Sequence, residues 1–340
     1  MSLPRLTEGD GQSHERLWLV TGGCGFIGSH LVDALLARGD AVHVLDDLST
    51  GSLENLDPRA RLIEADVADP DAVRQAMEGC DGCFHLAAVA SVERCTNDWT
   101  GAHRTNLAGS VATFDAARLW RSPVVYASSA AVYGDAGDPP YREVAAARPL
   151  SAYGADKLGS ELHARAGAVV HGLSTAGLRF FNVYGPRQAP ASPYSGVISI
   201  FCDRLRSGKA IAIHGDGAQT RDFISVEDVV HALLLAMDRM PDGASVFNVC
   251  TGRATSILEL AAAVAETAGA EFKTVSRPAR RGDVRSSVGD PVLACRRIGF
   301  KARVDLREGL RRLIAASDRD GPALERTRRS SLSRPLRSEL

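Results

Sequence analysis

Short apolar runs alternate with longer amphipathic stretches through the first half of the chain. The runs are LWLVT (17–21), AVHVLD (41–46), RLIEA (61–65), GCFHLAA (82–88) and VVYASS (124–129). Near-continuous apolar character over so few residues is the pattern of strands buried on both faces. The intervening stretches near 26–38, 70–78, 100–120 and 151–166 carry helical spacing. Strands that alternate with helices predict a parallel sheet covered on both sides, and right-handed crossovers make it doubly wound.

After about residue 185 the pattern changes. Pro and Gly cluster in GPRQAPASPYSG, and the strand-like runs shorten. Ser256 and Glu259 form a capping box ahead of the apolar helix ILELAAAVAETA. This half reads as a smaller α/β lobe over 186–318, some of whose segments are free to return to the first domain, which spans 16–185. Residues 1–15 and 319–340 are polar and read as disordered; the last fifteen, RTRRSSLSRPLRSEL, carry five Arg and one Glu.

The chain has 340 residues, 45% apolar and 24% charged, enough for one large α/β unit and a second lobe. A net charge of -1 gives no footprint for nucleic acid or a membrane surface. No apolar run approaches the roughly 20 residues a bilayer requires, and the polar start lacks a signal-peptide core. These features predict a soluble, cytoplasmic protein. Seven scattered cysteines suit reduced thiols better than a disulfide framework. Cys80 and Cys83 form a CxxC, but no second pair completes a tetrahedral site, and Cys83 lies in an apolar run. His85 and Cys95 are ligands on paper only, so no metal is expected.

The segment TGGCGFIGSH follows the first strand and opens the first helix. Gly22, Gly25 and Gly28 allow a tight turn and a close backbone approach, and the helix start at Phe26 and Ile27 offers free N–H groups to phosphate. Asp46 ends the second strand, about 20 residues on, where a carboxylate binds ribose hydroxyls and repels a 2′-phosphate. NAD is expected rather than NADP. Farther on, Tyr153 and Lys157 form a YxxxK on a helical stretch, four apart and therefore on one face. They follow a strand that ends in Ser128 and Ser129. A tyrosine working as a base near pH 7 must fall roughly three pKa units, about 4 kcal/mol, and a neighbouring ammonium favours that.

The GxxGxxG spacing together with YxxxK resembles the extended short-chain dehydrogenase/reductase family over roughly residues 16–315. The resemblance is nearest to its NAD-dependent epimerase/dehydratase members that act on nucleotide sugars. It implies a Rossmann domain with a C-terminal substrate lobe. By resemblance, Asp66 and Val67 hold adenine. HLAAVASV (85–92), with Leu86, Ala87 and Ala88, runs under the diphosphate, and Ser91 contacts substrate. Asn106 matches the family's structural asparagine on the central helix and belongs to the cofactor site. Ser129 occupies the catalytic hydroxyl position, with Ser128 the second choice for that role and a further cofactor contact. Asn182 in RFFNVYGPRQ contacts the substrate diphosphate, and Arg221 in GDGAQTRDFISVEDV reaches a phosphate. Arg280 and Asp283 in RRGDV clamp the nucleotide. PYSGVISIF (193–201), with Val197, resembles the stretch that holds uracil, and Ser287 aligns with a gatekeeping position beside the sugar C2 substituent.

Ala130 and Ala131 matter by what they lack. Dehydratases of this family carry an Asp-Glu pair there and the decarboxylases a Glu at the second place. With two methyl groups, reversible oxidation at C4 remains. The resemblance therefore implies C4 epimerisation of a UDP-hexose by a homodimer packed through the helices around 100–118 and 151–166. The alternatives are a UDP-glucuronate 4-epimerase, another nucleotide-sugar oxidoreductase of the family, or a non-catalytic NAD-binding regulator. The regulator would have no need of Ser129, Tyr153 and Lys157 together.

Overall fold

The computed structural model describes residues 15–134, 136–188, 196–279 and 284–316. Its strands in chain order are β1 (Leu17–Thr21), β2 (Ala41–Asp46), β3 (Arg61–Glu64), β4 (Gly82–His85), β5 (Val124–Ser129), β6 (Thr175–Phe180), β7 (Asn182–Tyr184), β8 (Ile211–His214), β9 (Thr220–Arg221), β10 (Phe223–Ser225), β11 (Ala244–Val249), β12 (Thr255–Ser256), β13 (Thr274–Arg277) and β14 (Ser286–Ser287). The helices are α1 (Phe26–Ala37), α2 (Pro70–Met77), α3 (Val92–Asn97), α4 (Trp99–His103), α5 (Gly109–Trp120), α6 (Ala152–His171), α7 (Val197–Arg206), α8 (Val226–Asp238), α9 (Ile257–Thr267) and α10 (Val292–Ile298).

Seven strands form one parallel sheet in the order β11-β6-β5-β4-β1-β2-β3. The order reverses between β1 and β4, which opens a crevice at their C-terminal ends. β1, β2 and β5 match the apolar runs residue for residue. β3 and β4 stop short of Ala65 and Leu86, each of which still bonds to the neighbouring strand, to Asp46 O and Thr21 O.

The second lobe is interleaved with the first in sequence. β11 closes the sheet beside β6, and α8 packs on α1. The reason is apolar surface: VEDVVHALLLAMD buries Val229, Val230, Leu233, Ala236 and Met237 in the same core as Val20, Leu31 and Phe84. What remains of the lobe is β8 with β13, β12-β9-β14 and β10 with β7, together with α7 and α9 over Ile198, Phe201, Ile211, Ile213, Leu260 and Val264. The capping box forms as read: Glu259 N–H donates to Ser256 Oγ at 3.1 Å and Ser256 N–H to Glu259 at 2.8 Å.

Two helices differ from the periodicity. The single helix expected over 100–120 breaks into α4, a π-helical turn at Arg104–Ala108, and α5. Asp98 ends α3 and caps α4 by accepting from Gly101 N–H. A π-turn adds one residue to the coil, a device common at functional sites. α6 runs past 166 to His171 and stops at Gly172, whose φ of 68° makes a left-handed cap. Among the described residues, no helix is long and apolar enough to cross a membrane.

Candidate active site

The glycine turn joins β1 to α1 at the crevice. Gly22 has φ 73°, and a Cβ there would lie 2.7 Å from the Ala87 nitrogen. A Cβ on Gly28 would run into the Gly22 carbonyl, so the helix seats on the turn only with glycine at both places. Gly25 is the N-cap of α1 and has no side chain to cap it, which leaves the first-turn N–H groups of Phe26 and Ile27 for an anion. Opposite them, the Thr21 hydroxyl accepts from the N–H groups of Leu86 and Ala87 at 3.2 Å each. That holds the 86–88 segment along the other side of the crevice.

Asp46 stands at the end of β2. Its two oxygens accept from Cys24 N–H and Leu48 N–H, both at 2.9 Å. Burial raises its pKa and those two N–H groups pull it back. Asp66 accepts from Ala68 N–H at 2.8 Å and pairs with Arg104 at 3.0 Å. Val67 is buried, against Gly109. An uncapped helix start, a turn that no side chain fits and a carboxylate at the strand end form a cradle that suits a dinucleotide.

Two of the residues expected at the cofactor site are buried with their side chains engaged inside the protein. Asn106 has no exposed surface. Its Oδ1 accepts from Val89 N–H at 2.8 Å, and its Nδ2 donates to Val89 O and Cys95 Sγ. It braces the 85–92 segment from behind through Val89. Ser128 is likewise buried and donates to Glu161 at 2.5 Å. Glu161 also takes a bidentate pair from Arg179, which bonds on to Tyr133 and through it to Asn248. The Ser128 side chain thus faces an internal network, and Ser129 is the hydroxyl of the pair left outside it. The CxxC is also structural. Cys80 and Cys83 are buried, and Cys80 bonds to Ala76 O. His85 bonds to Thr21 and Ser110, and Cys95 to Val89 O.

Ser129 ends β5, and its Oγ accepts from Ala131 N–H at 3.1 Å. Tyr153 and Lys157 lie one turn apart on α6, with Lys157 Nζ 5.8 Å from the Tyr153 ring centre. Ser151 caps that helix by accepting from Gly154 N–H. Burial pushes Tyr153 up to about 12, while a hydrogen bond with Ser129 draws it down. Burial pushes Lys157 down to about 8. In the protein by itself burial outweighs that hydrogen bond, so the net direction for Tyr153 is upward. Ala130 and Ala131 follow Ser129 in a short turn and bring no acid or base.

A second cavity of about 360 Å³ opens in the smaller lobe. Asn182, Val197 and Arg221 line it together, with Phe201, Arg204, Ala212, His214, Gln219 and Ile257 beside them. Ala212 and His214 were missed, yet the alternation in IAIH signals them: Ile211 and Ile213 are buried while Ala212 and His214 face outward. Ser287 pairs with Arg221 across parallel strands, whereas Ser286 pairs with Thr220 and shares a hydrogen bond with its hydroxyl at 2.7 Å. Paired residues share a face, so Ser287 and not Ser286 stands beside Arg221. Ser91 caps α3 by accepting from Arg94 N–H. Arg280 and Asp283, with the first three residues of PYSGVISIF, lie outside the described residues.

The model of the NAD dependent epimerase/dehydratase family matches residues 18–250, from β1 to the end of β11. The chain belongs to that family. This epimerase/dehydratase resembles a UDP-glucose 4-epimerase of Mycolicibacterium smegmatis, 38% identical over 304 residues, or 87% of this chain and 96% of the relative. A Thermotoga maritima UDP-glucose 4-epimerase solved with UDP-glucose superimposes with TM-score 0.86 at 35% identity, covering 89% and 99% of the two chains. A UDP-N-acetylglucosamine 4-epimerase of Methanobrevibacter ruminantium, in complex with UDP-N-acetylmuramic acid, gives TM-score 0.86 at 33% identity, covering 90% and 99%. The family's cofactor is NAD, and the cradle at Gly22–Gly28 and Asp46 has a shape that suits it.

Proposed function

We propose that the protein interconverts C4 epimers of a UDP-hexose, N-acetylated sugars included, through a 4-keto intermediate. The observation that carries this reading is Ser129 with Tyr153 and Lys157, followed by two alanines where the family's dehydratase branch needs an acid and a base. Tyr153 takes the proton of the sugar 4-hydroxyl, with Ser129 hydrogen-bonded to the same oxygen. When bound, NAD supplies the acceptor for the C4 hydride, the donor that returns it, and a ring charge that favours the phenolate. Lys157 adds a second positive charge beside Tyr153 and holds the nicotinamide ribose. The keto sugar turns about its diphosphate link, and Tyr153 returns the proton with the other face presented.

The lobe cavity takes the nucleotide. Arg221 and Asn182 serve the diphosphate, and Val197 with Phe201 packs on the base. About two negative charges on a nucleoside diphosphate suit an arginine fork. Asp46 holds the NAD ribose, Asp66 and Val67 the adenine, and Leu86 to Ala88 the diphosphate. Exposed Trp99, Leu162 and Val169 on α4 and α6 support pairing of two copies through these helices. The test is incubation with UDP-glucose, UDP-galactose, their N-acetylated forms and UDP-glucuronate, followed by chromatographic separation of C4 epimers. No epimer from any of the five rejects the reading, and a glucuronate-only product moves it to the uronic acid.

A further inference from the structure

Asn182, Arg221 and Ser287 come from β7, β9 and β14, which belong to two different small sheets. Asp222 is the residue where those sheets meet, after β9 and before β10. Its N–H donates to Ser287 O and its C=O accepts from Asn182 N–H, both at 2.9 Å. One residue's backbone therefore bonds to the strands of both sheets. The Asp222 side chain has no exposed surface. One carboxylate oxygen accepts from Thr251 N–H at 2.9 Å and from the Thr251 hydroxyl at 2.6 Å. The other accepts from Gly252 N–H at 2.8 Å. The Thr251 hydroxyl accepts in turn from Arg253 N–H at 3.2 Å. This turn lies just past the end of β11, the edge strand of the seven-stranded sheet. A buried carboxylate is tolerated when donors meet it, and three charge-assisted bonds do so here.

We propose that Asp222 is the positioning residue of the lobe cavity: clamped to the Thr251–Gly252 turn, it holds Asn182, Arg221 and Ser287 at the spacing that binds a UDP-sugar. The strands involved explain why a clamp is needed. β7, β9, β10 and β14 are each two or three residues long, so backbone pairing alone offers few bonds to fix their places. The side chain adds a further attachment, to the end of the large sheet. The donors explain the residue type. An ionised aspartate accepts with both oxygens, whereas asparagine has one acceptor and would aim an amide donor at Thr251 or at Gly252 N–H. The inference rests on the reading of the cavity as the nucleotide site.

The experiment uses the full chain loaded with NAD and UDP as the probe. Asp222→Asn should weaken UDP binding, measured by calorimetry, by at least about tenfold, the value of one hydrogen bond to a charged group. KM for the UDP-sugar that the native chain turns over should rise with it. NAD content and kcat should stay within about twofold, because the reacting centre and the cofactor cradle stand on other elements. Thr251→Val removes the 2.6 Å bond and keeps the shape, and it should weaken UDP binding about threefold. Thr251→Ser keeps the hydroxyl and should restore native affinity. Where Asp222→Asn fails to fold, the Thr251 pair carries the test. Native UDP affinity in a folded Asp222→Asn overturns the proposal. An equal fall of UDP affinity, NAD content and kcat in the folded variants does so too, since it marks a residue that supports only the fold. So does a Thr251→Ser variant no better than Thr251→Val. The reading of the cavity is decided separately: native UDP affinity in Arg221→Ala would remove it whatever the Asp222 and Thr251 variants show.

Discussion

The proposed reacting centre and the proposed nucleotide cavity are assembled in different ways. Ser129, Tyr153 and Lys157 come from one strand end and one helix face that follow each other in the chain. The cavity draws Asn182 from β7, Val197 to Arg204 from α7, Ala212 and His214 from β8, Arg221 from β9 and Ile257 from α9. Proton transfer needs a few groups held at hydrogen-bond distance, and a short motif on rigid elements can fix them. Recognition of a large substrate spreads over many contacts, none of which has a motif of its own. Damage to the first region should therefore strike kcat, and damage to the second should strike KM.

Tyr153→Phe is the strongest test of that division. It should lower kcat by about 10²–10⁴ while UDP-sugar binding, measured by calorimetry, stays close to wild type. Near-normal turnover would remove Tyr153 as the base. Next in size is Arg221→Ala, which should raise KM for the UDP-sugar by about 10- to 100-fold and change kcat little, because a charge-assisted bond to phosphate is present in ground and transition states alike. A loss confined to kcat would mean the two regions are not separable as drawn.

A smaller effect is expected at the cofactor end. Asp46→Ala should reduce the preference for NAD over NADP by about tenfold, the value of one hydrogen bond to a charged group. The ratio is the measurement to make. The variant also strips an acceptor from Cys24 N–H and Leu48 N–H, and that harm falls on both cofactors equally. An unchanged ratio would show that the carboxylate serves the turn and not the ribose.

How far each region could be read in advance follows the same division. The glycine turn, Asp46 and the YxxxK were visible because local geometry demands those residue types at those spacings. The first five strands of the sheet were visible as short apolar runs, whereas β6 and β11 were not among the runs singled out. Three further things were not visible. The break in the helix over 100–120 depends on Asn106 reaching Val89, a tertiary contact that periodicity does not carry. Ser128 and Ser129 are adjacent hydroxyls, and only the Glu161–Arg179 network separates their roles. The tyrosine pKa was read from the positive charges of Lys157 and the nicotinamide, whereas burial is the first influence on Tyr153 in the protein by itself. In the lobe, β11 reads like any other strand, and nothing in its own residues says that it joins the first domain.

The subtlest prediction sits where the two regions meet, at Ser287. Its pairing with Arg221 sets the serine on the face of the strand that carries the proposed phosphate contact. A sugar whose diphosphate lies on Arg221 then passes close to Ser287 on its way to Tyr153. A small side chain there leaves room for an acetamido group at C2, and a phenol would fill it. Overpacking a close-fitting site costs about 1–3 kcal/mol, and β14 is a short strand able to give a little, so the low end is expected. Ser287→Tyr should therefore cut kcat/KM for UDP-GlcNAc at least about fivefold more than for UDP-glucose, 1 kcal/mol being about fivefold. The Ser286→Tyr variant is the control. It loses the bond to Thr220 and disturbs the same strand, but it points to the other face. Its losses should be equal for the two sugars. If Ser287→Tyr also loses both equally, or if the native protein ignores UDP-GlcNAc, the acetamido pocket is misplaced and the substrate is a sugar without an N-acetyl group.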